Sequence, residues 1–285
     1  MRALALLDRS IYGRSVISYA AWLAAPAGGR VDLLNVVSPA EIAAGRLAIA
    51  GTLTIGASPG LVSEVAVDTD DEAQRLAASG EVLLEAARHD LIESGVTDVH
   101  HRVVSGDLAE TVAAAIDGAD VLVLGKRGEH ADLARLPLGS NLERLARQSP
   151  IPVLAVPRSY RPVRRLLVAF DTDPSGLATV DALAAGGIVP PMPCLLLHVG
   201  SPNPQMDEAI GAARQKLAAA GFETTAEMAE GTPERSIAER VVTADVDLVA
   251  IGAFGRSRLG SLLFGSLTSE VIRASQTPVL LCRAA

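Results

Sequence analysis

Short runs of Val, Leu, Ile and Ala recur along the chain, separated by longer stretches in which apolar residues return every three or four positions. Runs that short and that uniformly apolar read as strands buried on both faces, and the longer stretches read as amphipathic helices. In the first half the strands fall near residues 2–7, 31–37, 98–104, 120–124 and 152–156, and in the second near 164–170, 193–199, 222–229, 246–251 and 278–282. Helices are predicted near 11–26, 70–94, 107–117 and 139–148, then near 175–186, 205–220, 233–243 and 265–275. In the stretch 205–220, Ile210, Ala213, Leu217 and Ala220 share one face, Gly221 reads as the stop, and Thr232–Pro233 reads as a cap hydroxyl opening the next helix. Regular alternation of strand and helix implies right-handed crossovers, so each half is expected to form a five-stranded parallel sheet.

The two halves repeat one pattern in one order. Ala3 to Asp8 reads ALALLD and Leu166 to Asp171 reads LLVAFD. Asp120 to Gly128 reads DVLVLGKRG and Asp247 to Gly255 reads DLVAIGAFG, while Pro152 to Val156 reads PVLAV and Pro278 to Cys282 reads PVLLC. A repeat on this scale means two units of one design, with expected boundaries at 1–157 and 163–285 and the polar run Arg158 to Val163 as the joint. Residues 38–69 of the first half have no counterpart and read either as a lid over the sheet edge or as a linker. The two last strands are short and apolar; left as open edges they would invite pairing.

Composition narrows the function. Aromatic residues make up 3% of the chain, so the cores must be aliphatic. The net charge of −8, with no basic run, speaks against a general nucleic-acid binder. Cys194 and Cys282 each sit in an apolar run and read as small buried hydrophobes, and the five His residues show no ligand spacing, so no metal site is expected. The longest uncharged stretch, around 182–206, carries five prolines and cannot be a membrane helix. The chain opens directly on a strand, and the expected location is the cytoplasm, with no membrane partner.

Ligands of open α/β sheets bind beyond the carboxyl ends of the strands where the strand order reverses. The loop after the fourth strand of the second half reads Gly252-Ala253-Phe254-Gly255, nine residues, then Gly265-Ser266-Leu267-Thr268. Its glycines permit close backbone approach, Ser266 opens a helix whose free N–H groups suit phosphate, and Arg256 and Arg258 add charge with no acid between Gly252 and Ser269. The first half has Gly125-Lys126-Arg127-Gly128, ten residues, then Gly139-Ser140-Asn141, with Glu129 and Asp132 inside the loop beside Arg135. Asp8 and Asp171, each following a first strand, suit ligand contact and helix capping equally. No nucleophile–base arrangement, Walker loop or paired carboxylates at a useful spacing stand out, so no catalytic residue is assigned.

The spacing G-x2-G-x9-G-[ST], after a DLVAIG-type strand and before a helix leading to PVLL, resembles the universal stress protein family, and the resemblance covers nearly the whole chain twice. It implies doubly wound sheets of order 3-2-1-4-5, the adenine nucleotide alpha hydrolase-like fold, with the last strands pairing about a pseudo-two-fold axis. It implies ATP or a related adenine nucleotide. The two carboxylates Asp171 and Asp173 could hold Mg²⁺ beside a triphosphate, but nothing in the sequence requires a metal. Carried over, the ligand residues are Asp171, Val199, Ile251, Gly252, Gly255, Arg256, Gly265, Ser266 and Thr268, and more weakly Asp8, Val36, Gly125, Gly128, Gly139 and Ser140. The resemblance implies a stress-response regulatory protein with an unknown protein partner, as an internal pseudo-dimer or a homodimer. The alternatives are a ligand-free interaction protein whose loops are structural, and a slow ATPase or self-phosphorylating protein. The opposing acids of the first loop lead to the expectation that ATP occupies the second half first.

Overall fold

A computed structural model describes residues 1–39, 41–43, 69–128, 140–253 and 277–284. The first half contributes β1 (Arg2–Leu6), α1 (Gly13–Ala24), β2 (Arg30–Val37), α2 (Thr69–Glu93), β3 (Asp98–Ser105), α3 (Leu108–Ala115), β4 (Val121–Gly125), α4 (Ser140–Gln148) and β5 (Val153–Val156). The second contributes β6 (Leu166–Ala169), α5 (Pro174–Ala184), β7 (Pro193–Val199), α6 (Pro204–Ala219), β8 (Glu223–Ala229), α7 (Pro233–Thr243), β9 (Leu248–Ala253) and β10 (Val279–Arg283). The helix expected near 265–275 and nearly all of the segment 38–69 lie outside the described residues.

All ten strands form one sheet in the order β3-β2-β1-β4-β5-β10-β9-β6-β7-β8. Each half therefore has the order 3-2-1-4-5, reversing beside β1 and beside β6. Pairing is parallel throughout except at the seam, where β5 and β10 run antiparallel with Leu280 opposite Leu154. Antiparallel pairing of equivalent strands puts a pseudo-two-fold axis at the seam and removes both apolar edges that the sequence had left open. The outer strands β3 and β8 form the two ends of the sheet and carry exposed polar residues such as Asp98, His100, Glu223 and Thr225.

Strands buried on both faces need helices on both faces, and these form two continuous cores. One face packs under α1, α2, α5 and α6 through Tyr19, Leu84, Leu183 and Leu217, and the other under α3, α4 and α7 through Val112, Leu145 and Ile237. Each core draws residues from both halves, so the seam is interior rather than a docking contact.

Capping follows the residues next to each first turn. Asp107 accepts from the N–H groups of Ala109 and Glu110, Asp173 from Gly176, and Asn203 from Met206. The expected Thr232 hydroxyl cap is corrected: Thr232 holds the cap position, but its hydroxyl makes no cap bond. The helix begins instead on its carbonyl, which accepts from Ser236 N–H at 3.0 Å, with Glu234 adding negative charge in the first turn. Gly221 stops α6 as read, with φ +93° and Phe222 N–H closing back on Leu217 O at 3.1 Å.

The joint between the halves is pinned rather than loose. Tyr160 meets the fully buried Tyr19 ring edge-on at 4.8 Å, and Arg161 N–H donates to the Tyr19 hydroxyl at 3.3 Å. Burial pushes the Tyr19 phenol up to about 12.

Cys194 and Cys282 are free and buried, and burial pushes each thiol up to about 12. Only thiolates attack disulfide reagents at useful rates. An aromatic disulfide reagent is therefore expected to label neither thiol in the native protein at pH 8 and both after denaturation. Rapid labelling of the native chain would contradict this burial.

Candidate functional site

The C-terminal ends of β1, β2 and β4 surround a cavity of about 560 Å³ in the first half. This is the place where strand order reverses, and four of the residues named from sequence meet there: Asp8, Val36, Gly125 and Gly128. Leu34, Leu124, Leu142 and Leu145 give it apolar walls. Gly139 lies outside the described residues, and Ser140 is placed only as the first residue of α4.

Asp8 does not cap a helix. Its carboxylate accepts from Ser10 N–H at 3.0 Å, closing a turn between β1 and α1, and Tyr12 holds the cap position of α1. A Cβ at Gly128 would lie 3.1 Å from the Asp8 carboxylate, so this acid stands directly over the loop glycine. A Cβ at Gly125 would lie 2.6 Å from Tyr12 Cβ, so glycine there is required by packing of the buried Tyr12. Sequence reading missed Tyr12, because an aromatic four residues past a strand-end Asp carries no distinctive spacing.

Two further features of the cavity were not read. Arg144 of α4 makes a two-pronged bridge to Asp107 at 2.9 and 3.0 Å, and this guanidinium, with the helix N–H groups, holds the Asp107 carboxyl below its usual range. Asp107 with Glu110 three residues later was a legible helix start, but its pairing with a residue 37 positions on was not. Ser38 and Glu41 form a reciprocal capping box, Ser38 N–H donating to Glu41 Oε2 at 2.6 Å and Glu41 N–H donating to Ser38 Oγ at 3.2 Å, which fixes the Glu41 carboxylate at the cavity rim.

Lys126 is a correction. Its place beside Arg127 between two loop glycines suggests charge for a ligand in the first half. Its side chain is buried and turns away across the seam, with Nζ donating to Thr277 O at 2.7 Å, and it does not line the cavity. Burial pushes its ammonium down to about 7. The cause is register: Lys126 follows β4 directly, and its backbone N–H still bonds Val156 O of β5, so its side chain is carried toward β10.

In the second half Asp171, Val199, Ile251 and Gly252 stand at the carboxyl ends of β6, β7 and β9, with Ala169 paired to Ile251. Gly255, Arg256, Gly265, Ser266 and Thr268 lie outside the described residues. Asp171 accepts from Thr172 N–H at 2.7 Å, and the helix cap is Asp173. Gly252 is in tight contact with the start of α5: a Cβ there would lie 2.6 Å from Ser175 and 2.8 Å from Gly176 N. Asn35 and His198 occupy equivalent positions in β2 and β7 and do one job. The Asn35 amide donates to Leu7 O at 2.7 Å, and the His198 Nδ1–H donates to Phe170 O at 3.1 Å, each tying the end of the second strand to the residue just after the first. Among the described residues, no group of three or more His, Cys, Asp or Glu could hold a metal ion, and no helix is long and apolar enough to cross a membrane.

The model of the universal stress protein family matches residues 1–157 and 196–283. This chain belongs to that family. It is 30% identical over 279 residues to the universal stress protein Slr1230 of Synechocystis, covering 97% of each chain. It is 28% identical over 116 residues, 39% of this chain and 70% of the relative, to the stress response protein NhaX of Bacillus subtilis. The crystal structure of a universal stress protein from Archaeoglobus fulgidus matches over 100% of this chain and 96% of that one, with a TM-score of 0.70 at 18% identity, a likeness of fold. A universal stress protein with two such halves on one sheet is thus a tandem member, and its place is in the stress response.

Proposed function

We propose that this universal stress protein is a regulatory module that binds ATP or a related adenine nucleotide in its second half, where occupancy sets its choice of protein partner. The observation that carries this reading is the reversal of strand order at β6. There the chain after Asp171 and the chain after Gly252 leave adjacent, paired strands at one sheet edge. In this reading Asp171, Val199, Ile251 and Gly252 face the nucleoside, and Gly255, Arg256, Gly265, Ser266 and Thr268 wrap ribose and phosphates. The units 1–157 and 163–285 then act as one body through the seam.

The alternative of a ligand-free interaction protein draws on Gly252, whose lack of a side chain the packing of Ser175 already requires. The two readings part on one experiment. Mass spectrometry of small molecules released from the purified protein is expected to find an adenine nucleotide. Gly265→Val is expected to weaken ATP binding in calorimetry at least tenfold, about 1.4 kcal/mol. A protein that releases no nucleotide and shows no heat with ATP is the ligand-free module.

A further inference from the structure

The joint between the halves carries charge of the opposite sign to the chain as a whole. The net charge is −8, yet no acid occurs between Glu143 and Asp171, and the run Arg158 to Arg165 holds four arginines. Arg158, Tyr160, Arg161, Arg164 and Arg165 are exposed, while Val163 is buried with Tyr19 in the core under α1, α2, α5 and α6. The joint therefore runs over that face as a basic surface strip.

The strip is fixed in place by its own backbone. Tyr160 stands edge-on to Tyr19, whose ring meets Trp22 in turn at 6.3 Å, and Arg161 N–H donates to the Tyr19 hydroxyl. Further along, Asp247 Oδ2 accepts from the N–H groups of Arg164 and Arg165 at 2.9 and 3.1 Å, so this carboxylate holds main chain rather than guanidinium. The Arg165 guanidinium donates to Ala244 O at 2.6 Å. Among the described residues no carboxylate bridges Arg158 or Arg164. Side chains presented from a pinned backbone cost a partner little to order, and Arg and Tyr are residues that commonly anchor protein interfaces.

Length and charge select the partner. From Arg158 to Arg164 the chain reaches at most about 20 Å, the length of six or seven extended residues. Charges are screened beyond about 8 Å at physiological salt, so a short anionic segment lying on the strip is shielded from acids elsewhere. A nucleic acid running past the strip meets a surface whose net charge repels it.

We infer that the joint is a docking strip for a short Asp- and Glu-rich segment of a partner protein: its carboxylates meet Arg158, Arg161 and Arg164, and an apolar side chain of the segment lies on the exposed Tyr160 ring. This names the chemistry of the partner that the regulatory reading leaves open, and it rests on the joint alone, whether or not a nucleotide binds.

The test is titration of the full chain with a peptide of about eight residues, Glu and Asp around one Phe. Binding is read by calorimetry and by the fluorescence of Trp22, which Tyr19 links to Tyr160. The peptide is expected to bind, with an affinity that falls as salt rises. Arg158→Gln combined with Arg164→Gln is expected to weaken it about tenfold or more. Arg214→Gln combined with Arg235→Gln removes the same charge from α6 and α7 and is expected to change it by less than about twofold. All four side chains are exposed, so both double variants are expected to melt with wild type.

The inference is overturned if the peptide does not bind, if its Gln and Asn counterpart binds as well, or if the two double variants weaken it equally. It is also overturned if an oligothymidylate of the same length binds more tightly than the peptide. Should the peptide behave as expected while saturating ATP leaves its affinity unchanged, the regulatory reading above falls and this one stands.

Discussion

Replacing Leu280 by aspartate is expected to destabilise the protein by at least about 5 kcal/mol and to uncouple its two halves. Leu280 sits in β10 directly opposite Leu154 of β5, and neither has measurable exposure. Both belong to the core under α1, α2, α5 and α6, which runs without a break from one half to the other. Truncating such a leucine to alanine costs about 2 to 5 kcal/mol through lost transfer energy and the cavity left behind. A carboxylate at the same place adds the desolvation of a charge with no partner, several kcal/mol more. The chain has a single tryptophan, Trp22 in α1, so its fluorescence reports on the first half while far-ultraviolet circular dichroism reports on both. In wild type the two signals are expected to fall together in urea, because the shared cores make one cooperative unit. In Leu280→Asp the tryptophan transition is expected to separate from the dichroism transition. Leu280→Ala and Leu154→Ala should each cost less, and their effects should not add, because the two side chains lie opposite each other. A Leu280→Asp chain with a wild-type midpoint would show that the seam does not join the halves energetically.

The fold was legible because its determinants are local and repeated. Pro193–Val199 could be read as a strand because all its residues but His198 are apolar, and Arg30–Val37 because Val31, Leu33, Leu34, Val36 and Val37 crowd a short run, which a sheet covered on both faces rewards. Gly221 could be read as a stop because it must adopt a positive φ. The same logic showed two apolar end strands in need of a partner, and the resemblance to the family implied that they pair with each other, as β5 and β10 do.

The site was legible only where backbone position decides it. Asp8, Val36, Gly125 and Gly128 end adjacent strands or start the loops after them, so the sheet order alone brings them to one cavity. Side-chain direction was not legible. Lys126 and Arg127 are adjacent cations of one loop, yet Arg127 lines the cavity and Lys126 crosses the seam. Asp171 and Asp173 are two residues apart, and the cap went to Asp173 because Pro174 at the first turn sets the helix start there. The Asp107–Arg144 bridge joins two helices through tertiary packing that no periodicity records.

Lys126→Met is expected to change the pH dependence of stability more than the exchange of any surface charge. The ammonium is buried, donates to Thr277 O at 2.7 Å, and is pushed by burial down to about 7. In the unfolded chain a lysine titrates near 10.4. Below pH 7 both states hold the proton, and the folded state carries the full cost of an ammonium out of water. Between pH 7 and about 10.4 the unfolded state binds more protons than the folded state, so stability rises with pH by about 1.4 kcal/mol per unit. Over the whole window the gain is about 4 to 5 kcal/mol. Methionine has similar length and no proton, so the variant lacks this rise. It also leaves the Thr277 carbonyl without the Lys126 donor, a cost of about 1 kcal/mol at every pH. Lys126→Met is therefore expected to be more stable than wild type at pH 6, by about 3 kcal/mol, with the advantage shrinking as pH rises and reversing near pH 10. Urea denaturation at pH 6, 8 and 10 measures this directly. Wild-type and variant curves that stay parallel across that range would show that Lys126 keeps an ordinary pKa in the folded protein. A confirmed crossover would identify Lys126 as a strut between the first-half loop and the start of β10 that is weakest when protonated.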